Sequence, residues 1–173
     1  MMLEITIYSI GGQGGVTAAR LLALSALYDG KYAQAIPQFG PERRGALVTS
    51  YVRISDNVIR KHSRIRKPDI TVIFDKKSPV EVLSRIAVVN SGFGEVDEYI
   101  QAEKVWYVDA SKIAFDLSLI KEGLPIINTA IVGAVARVCD LSISSVKKAI
   151  GEEIKDERNI RAAEIAYEVV RCH

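Results

Sequence analysis

A chain of 173 residues, 49% of them apolar, can bury a core of ordinary size and falls within the usual range for one domain, here residues 1–173. Lys and Arg number 23 against 21 for Asp and Glu, and the net charge of +2 gives no global field that would hold nucleic acid or an anionic membrane. No apolar run approaches the roughly 20 residues of a membrane-spanning helix, and the start Met1-Met2-Leu3-Glu4 lacks the basic opening and cleavage site of a signal peptide, so the expected location is cytoplasmic.

Residues 3–9 alternate and are rich in β-branched side chains, which predicts a strand running into the loop Gly11-Gly12-Gln13-Gly14-Gly15. Residues 16–28 are good helix formers, apolar nearly all round, and stop before Gly30; they predict a mostly buried helix. Short strands follow at 31–36, ended by Pro37, and at 46–54, where Leu47, Thr49, Tyr51 and Arg53 share a face. Asp56-Asn57 reads as a hairpin turn into an antiparallel partner at 58–60, which makes the sheet mixed.

Residues 70–74 read as a buried strand, and Ser78-Pro79 as the capped start of a short helix. Strands are expected at 86–89 and 105–108, then a helix capped by Asp109 and running through Ile113, Ala114, Leu117 and Ile120 to Gly123. The last third is helical, over 128–138, 142–150 and 157–170. In the final helix Ile160, Ala163, Tyr167 and Val170 share one face, and Glu157 and Arg161 stand four apart, the spacing of an ion pair. This alternation of strands and helices predicts an α/β fold, a three-layer α/β/α sandwich with a mixed, mostly parallel sheet.

Gly12, Gly14 and Gly15, between a strand and a helix, set backbone N–H groups and the positive end of a helix dipole where a phosphate could dock. A dinucleotide fingerprint would need a third glycine at position 17, which is Thr17, and a Walker loop would need a Lys before Thr17. No acidic side chain follows the second strand to hold a ribose, so a free-standing dehydrogenase is disfavoured. The competing reading is that the glycines merely allow a tight turn. Between the second and third strands, Pro37-Gln38-Phe39-Gly40-Pro41-Glu42-Arg43-Arg44-Gly45 offers forked donors suited to phosphate or carboxylate, although one arginine could simply pair with Glu42.

Residues 60–67 hold five firm positive charges, facing nucleic acid, an anionic cofactor or only water. Asn128-Thr129 is chiefly a helix cap, and secondarily a second anion site. The two cysteines, Cys139 and Cys172, lie far apart and form no CxxC, and the two histidines are His62 and the last residue. Neither a metal site nor a disulfide framework is expected. With no nucleophile beside a base, catalytic residues are assigned to none, and the chain is expected to catalyse nothing alone.

Three stretches in order, Gly11-Gly12-Gln13-Gly14-Gly15, the string from Pro37 to Gly45, and Leu124-Pro125-Ile126-Ile127-Asn128-Thr129-Ala130, resemble the gamma subunit of 2-oxoacid:ferredoxin oxidoreductases. Lys67-Pro68-Asp69 before a strand and residues 157–167 fit the same family, and Phe39-Gly40-Pro41-Glu42-Arg43-Arg44-Gly45 is most similar to its pyruvate-type members. The resemblance implies oxidative decarboxylation of a 2-oxoacid to an acyl-coenzyme A with reduction of ferredoxin. It implies thiamine diphosphate and iron–sulfur clusters on partner subunits only, and alpha, beta and delta type subunits as partners. Coenzyme A is the substrate implied for this chain, with Gly12, Gln13, Gly14 and Gly15 in backbone contact, Arg43 and Arg44 supplying charge, Phe39 packing, and Asn128 at the second helix start. No contact with nucleic acid or membrane is implied. A stand-alone phosphate- or nucleotide-binding module without catalysis is the alternative.

Overall fold

A computed structural model describes residues 1–38, 45–76, 78, 80–92 and 99–173. In chain order the elements are β1 (Met2–Ile10), α1 (Gly15–Tyr28), β2 (Tyr32–Pro37), β3 (Leu47–Ser55), β4 (Ile70–Ile73), β5 (Val82–Asn90), β6 (Ile100–Val108), α2 (Ala110–Asp116), β7 (Ile120–Lys121), β8 (Leu124–Pro125), α3 (Asn128–Val138), α4 (Ile143–Glu153), α5 (Arg158–Val169) and β9 (Arg171–Cys172). Seven strands form one sheet in the order β2-β3-β1-β4-β5-β6-β9. The ladders β1/β4, β4/β5 and β5/β6 are parallel, whereas β3 is antiparallel to both its neighbours and β9 to β6. Strands β1, β2, β4, β5 and β6 therefore run one way, giving the mixed, mostly parallel sheet and the α/β fold that the sequence predicts.

The alternation along each strand decides what each face meets. Ile5, Ile7, Val52, Ile54, Ile70, Val72, Val88 and Val108 join the buried residues of all five helices in one core. Ile73, Ala87, Val89 and Tyr107 point the other way, into a smaller cluster with Val82 and Ile100. The helices of the described residues thus gather on one face, so the second helical layer of the expected α/β/α sandwich is not among the described residues, while part of the other face is crossed by residues 57–69, with Ile65 buried beneath the segment.

Four local expectations are corrected. The hairpin into 58–60 does not form, because β3 already has β1 on one side and β2 on the other, so no edge is left to pair with. The antiparallel pairing of the sheet arises instead from β3 itself. The helix from Ser78-Pro79 is replaced by Ser78, Val80 and Glu81 outside any helix, Pro79 lying outside the described residues, and β5 begins early at Val82. Ile73 is level with Val89, seven residues up β5 from Val82, so the chain must return about 23 Å in eight residues. A helix rising about 1.5 Å per residue could not span that.

Asp109 does cap α2, its Oδ1 accepting from Lys112 N at 2.9 Å, but the helix stops at Asp116 rather than Gly123. Positive φ at Glu122 (52°) and Gly123 (77°) turns the chain into the β7–β8 hairpin. Finally, Arg161 pairs with Glu164 at 3.5 Å instead of Glu157. Elsewhere the capping reads as expected: Ser142 Oγ accepts from Ser145 N at 3.2 Å at the start of α4. That cap is reinforced from α1, since Asp29 Oδ2 accepts from Ser142 N at 2.7 Å and its Oδ1 from both serine hydroxyls. Burial raises the Asp29 carboxyl, but these hydrogen bonds outweigh it and hold its pKa below the ordinary carboxylate value.

Candidate functional site, a glycine loop between two helix starts

After β1 the chain turns through Gly11–Gly15 into α1, and the turn is fixed by its own side chain. Gln13 N donates to Ile10 O at 3.0 Å, and Gln13 Oε1 accepts from Ile10 N at 2.8 Å. Gln13 therefore closes the loop on itself and contributes shape rather than a ligand-facing amide. Gly12 and Gly14 have φ of 94° and 81°, the left-handed region that glycine enters without strain. Gly14 is the N-cap of α1, and the first intrahelical bond runs from Ala18 N to Gly14 O at 3.0 Å. The N–H groups of the first turn, up to Thr17, thus have no acceptor within the helix.

Two further requirements for glycine come from packing. A Cβ on Gly15 would lie 2.1 Å from Ser9 Oγ, and one on Gly14 would lie 2.5 Å from Asn128 Nδ2. The second contact joins two of the sequence-predicted parts, because Asn128 is the first residue of α3. Asn128 is buried, its Oδ1 accepting from Thr129 N at 3.0 Å, so its amide NH2 lies beside the glycine loop. It is thus less a cap in the usual sense, Ile127 holding that position, than a bridge between the starts of α1 and α3. Thr129 Oγ1 donates to Asn159 Oδ1 at 3.0 Å and ties this corner to α5.

The topology brings Gln38 and Gly45, the described ends of the β2–β3 connection, to the same edge. β2 runs with β1 and β3 against it, so the connection between them leaves and re-enters the sheet where β1 ends. Gly11 N donates to Ala46 O at 2.7 Å and Gly45 N to Gly11 O at 3.5 Å, while Gln38 N donates to Thr49 O at 3.1 Å and Tyr51 Oη to Gln38 Oε1 at 3.1 Å. Both ends of the loop are thereby anchored, one of them directly on the glycine turn. The expected contacts Phe39, Arg43 and Arg44 lie outside the described residues. This edge is also where the strand order reverses, β3 and β2 lying to one side of β1 and β4 to the other, the crevice in which open α/β sheets take ligands.

Sequence reading missed the ties that hold this edge. Asn90, at the end of β5, donates through Nδ2 to Phe74 O at 3.0 Å and Ser111 Oγ at 3.2 Å and accepts from Ala110 N at 2.9 Å, joining three chain segments. An asparagine ending an apolar strand was the available signal. Cysteine chemistry is absent from the site: Cys139 is buried, and burial pushes its thiol up to about 12, while Cys172 is exposed at the chain end. Among the described residues no group of three His, Cys, Asp or Glu is placed to hold a metal ion, and no helix is long and apolar enough to cross a membrane.

Comparison with known proteins covers nearly the whole length of the chain. Pyruvate synthase subunit PorC of Methanocaldococcus jannaschii is 43% identical over 177 residues, with 96% of each chain covered. The pyruvate/ketoisovalerate oxidoreductases common subunit gamma of Thermococcus kodakarensis is 42% identical over 181 residues, again with 96% of each covered. The crystal structure of pyruvate oxidoreductase subunit PORC from Thermotoga maritima superposes with a TM-score of 0.79 at 29% identity, covering 99% of this chain and 98% of that one. Residues 4–169 match the family described as pyruvate ferredoxin/flavodoxin oxidoreductase, and the chain belongs to that family as a gamma-type subunit of a multi-subunit oxidoreductase.

Proposed function

We propose that residues 1–173 act as one domain that seats coenzyme A for a cytoplasmic 2-oxoacid:ferredoxin oxidoreductase, alongside alpha, beta and delta type subunits and with ferredoxin as the electron acceptor. The observation that carries this is the meeting of Gly14, at the start of α1, with Asn128, at the start of α3. Two helix N-termini and a glycine turn converge there, and coenzyme A bears a pyrophosphate and a 3′-phosphate that such N–H groups bind well. Gly12, with open space beside it, lets the ligand approach the backbone, Gly14 and Gly15 offer the N–H groups of the α1 start while packing on Asn128 and Ser9, Gln13 holds the turn, and Arg43 and Arg44 add forked cationic donors from the loop that re-enters at Gly45. Phe39 packs against the coenzyme or a neighbouring subunit. Thiamine diphosphate and iron–sulfur clusters, held by partner subunits, supply decarboxylation and electron transfer, in keeping with a chain that carries two separated cysteines.

The reading predicts a split between two half-reactions of the assembled enzyme. Arg43→Ala should raise the KM for coenzyme A by about 5- to 150-fold, the equivalent of losing one charge-assisted contact of roughly 1–3 kcal/mol, while coenzyme-independent decarboxylation of the 2-oxoacid stays near the parent rate. Equal loss in both steps would place the defect in assembly and count against the assignment.

A further inference from the structure

The basic run lies at the opposite end of the sheet from the glycine loop. β3 ends at Ser55 and β4 starts at Ile70, and Asp69 N donates to Glu4 O at 2.8 Å near the start of β1. Ile10 lies six residue steps along β1 from Glu4, about 20 Å. Residues 57–69 are held from beneath by Arg53, which is 1% exposed. Its Nε donates to Glu4 Oε1 at 2.9 Å, its Nη1 to Gln34 Oε1 at 3.0 Å and Lys61 O at 3.4 Å, and its Nη2 to Ser63 O. Ile65 is buried between these anchors. The backbone of the run is thereby fixed, and its cations are spaced in advance.

A cleft of about 590 Å³ opens along this segment, lined by Glu4, Lys61, Ser63, Arg64, Arg66 and Lys67. Glu4, its one acid, is already engaged by Arg53 at 2.9 Å and Lys61 at 3.0 Å. Among the described residues Arg64, Arg66 and Lys67 have no ion-pair partner, and all three are exposed. One monovalent anion could not neutralise three unpaired cations along one cleft. A chain bearing several carboxylates could, and preset spacing lowers the ordering cost of receiving it.

We propose that residues 61–67 are a docking surface for an acidic segment of another subunit of the oxidoreductase. This rests on the assembly reading above but not on the coenzyme site, which lies at the other edge of the sheet. Exposed complementary charges act mainly on encounter, speeding association and making it salt-dependent.

The test uses the full chain and the other subunits of the same enzyme, mixed in stopped flow at a series of salt concentrations. The parent should associate more slowly as salt rises. The triple variant Arg64→Gln, Arg66→Gln, Lys67→Gln should associate about tenfold more slowly at low salt and with a flatter salt dependence, at an unchanged melting temperature. A deca-glutamate peptide should slow the parent and leave the variant unaffected. If the triple variant melts lower, the single variants R64Q and K67Q, each slowing association severalfold, carry the same test. A triple variant with the parent's rate and salt slope overturns the proposal. So does a parent that retains a 20-mer oligonucleotide through these residues while the variant assembles normally, which would assign the run to nucleic acid. A parent that does not join the other subunits at all overturns the assembly reading and this proposal together.

Discussion

Gly133→Ala should destabilise the chain by about 3 kcal/mol, the upper end of the overpacking range, and lower its melting temperature by about 6–12 °C in calorimetry. The reason is the approach of α3 to α5. A Cβ on Gly133 would lie 2.1 Å from the carbonyl oxygen of Ala163 and 2.7 Å from its C and Cα atoms. These are backbone atoms, so no side-chain rotation relieves the clash and one helix must move. Ala162, Ala163 and Ala166, all fully buried, show that small residues let α5 come this close. Any shift of α3 also displaces Asn128 from the glycine loop, so the stability loss should bring weaker coenzyme A binding with it. Gly151→Ala is the contrasting case. That position is exposed in α4, and its Cβ would meet Ile160 Cδ1 at an ordinary 3.6 Å. Alanine there should stabilise by roughly 0.5–1 kcal/mol through helix propensity.

Arg53→Leu should cost a similar amount, about 3 kcal/mol, because it removes one partner of a buried ion pair and strands the groups that partner satisfied. Gln34 and the carbonyls of Lys61 and Ser63 would lose their donor, and Glu4 would keep only Lys61. Hydrogen exchange across residues 57–69 should rise in this variant while α1 and α3 keep their protection. The same network carries a pH signature. Burial raises the Glu4 carboxyl, but the hydrogen bonds and charges of Arg53 and Lys61 outweigh it, leaving its pKa below the ordinary value in the folded chain. A group depressed in this way contributes stability above the unfolded value, about pH 4.3, and loses it as pH falls through the lower folded value. Part of the acid destabilisation below about pH 4.3 should therefore vanish in Arg53→Leu, visible as a shallower fall of melting temperature with pH.

How much of this was legible beforehand depended on whether local pattern or chain routing decided the outcome. Strand β1, helix α1 and helix α3 follow from alternation, helix-forming residues and stops that are visible in the sequence, and α3 begins and ends where its apolar run does. The hairpin after Asp56-Asn57 failed because turn residues say nothing about whether an edge is free. The missing helix near Ser78 is a matter of distance, set by how far down the sheet β5 starts, which no local signal carries. At the site, the glycines and Asn128 were each expected as helix starts from their sequence, but their contact required the fold to bring residues 14 and 128 together. Arg53 was placed on the correct strand face with Tyr51, yet its burial depended on a loop crossing that face, and alternation cannot reveal a cover made by another segment.

The central claim, a gamma-type subunit that seats coenzyme A for a 2-oxoacid:ferredoxin oxidoreductase, is tested most directly by purifying this chain at native expression level and assaying what accompanies it. The expected result is co-purification with subunits carrying thiamine diphosphate and iron–sulfur clusters, and 2-oxoacid oxidation that reduces ferredoxin only when coenzyme A is present. A folded, inactive monomer without partners, or a complex whose turnover is indifferent to coenzyme A, would contradict it.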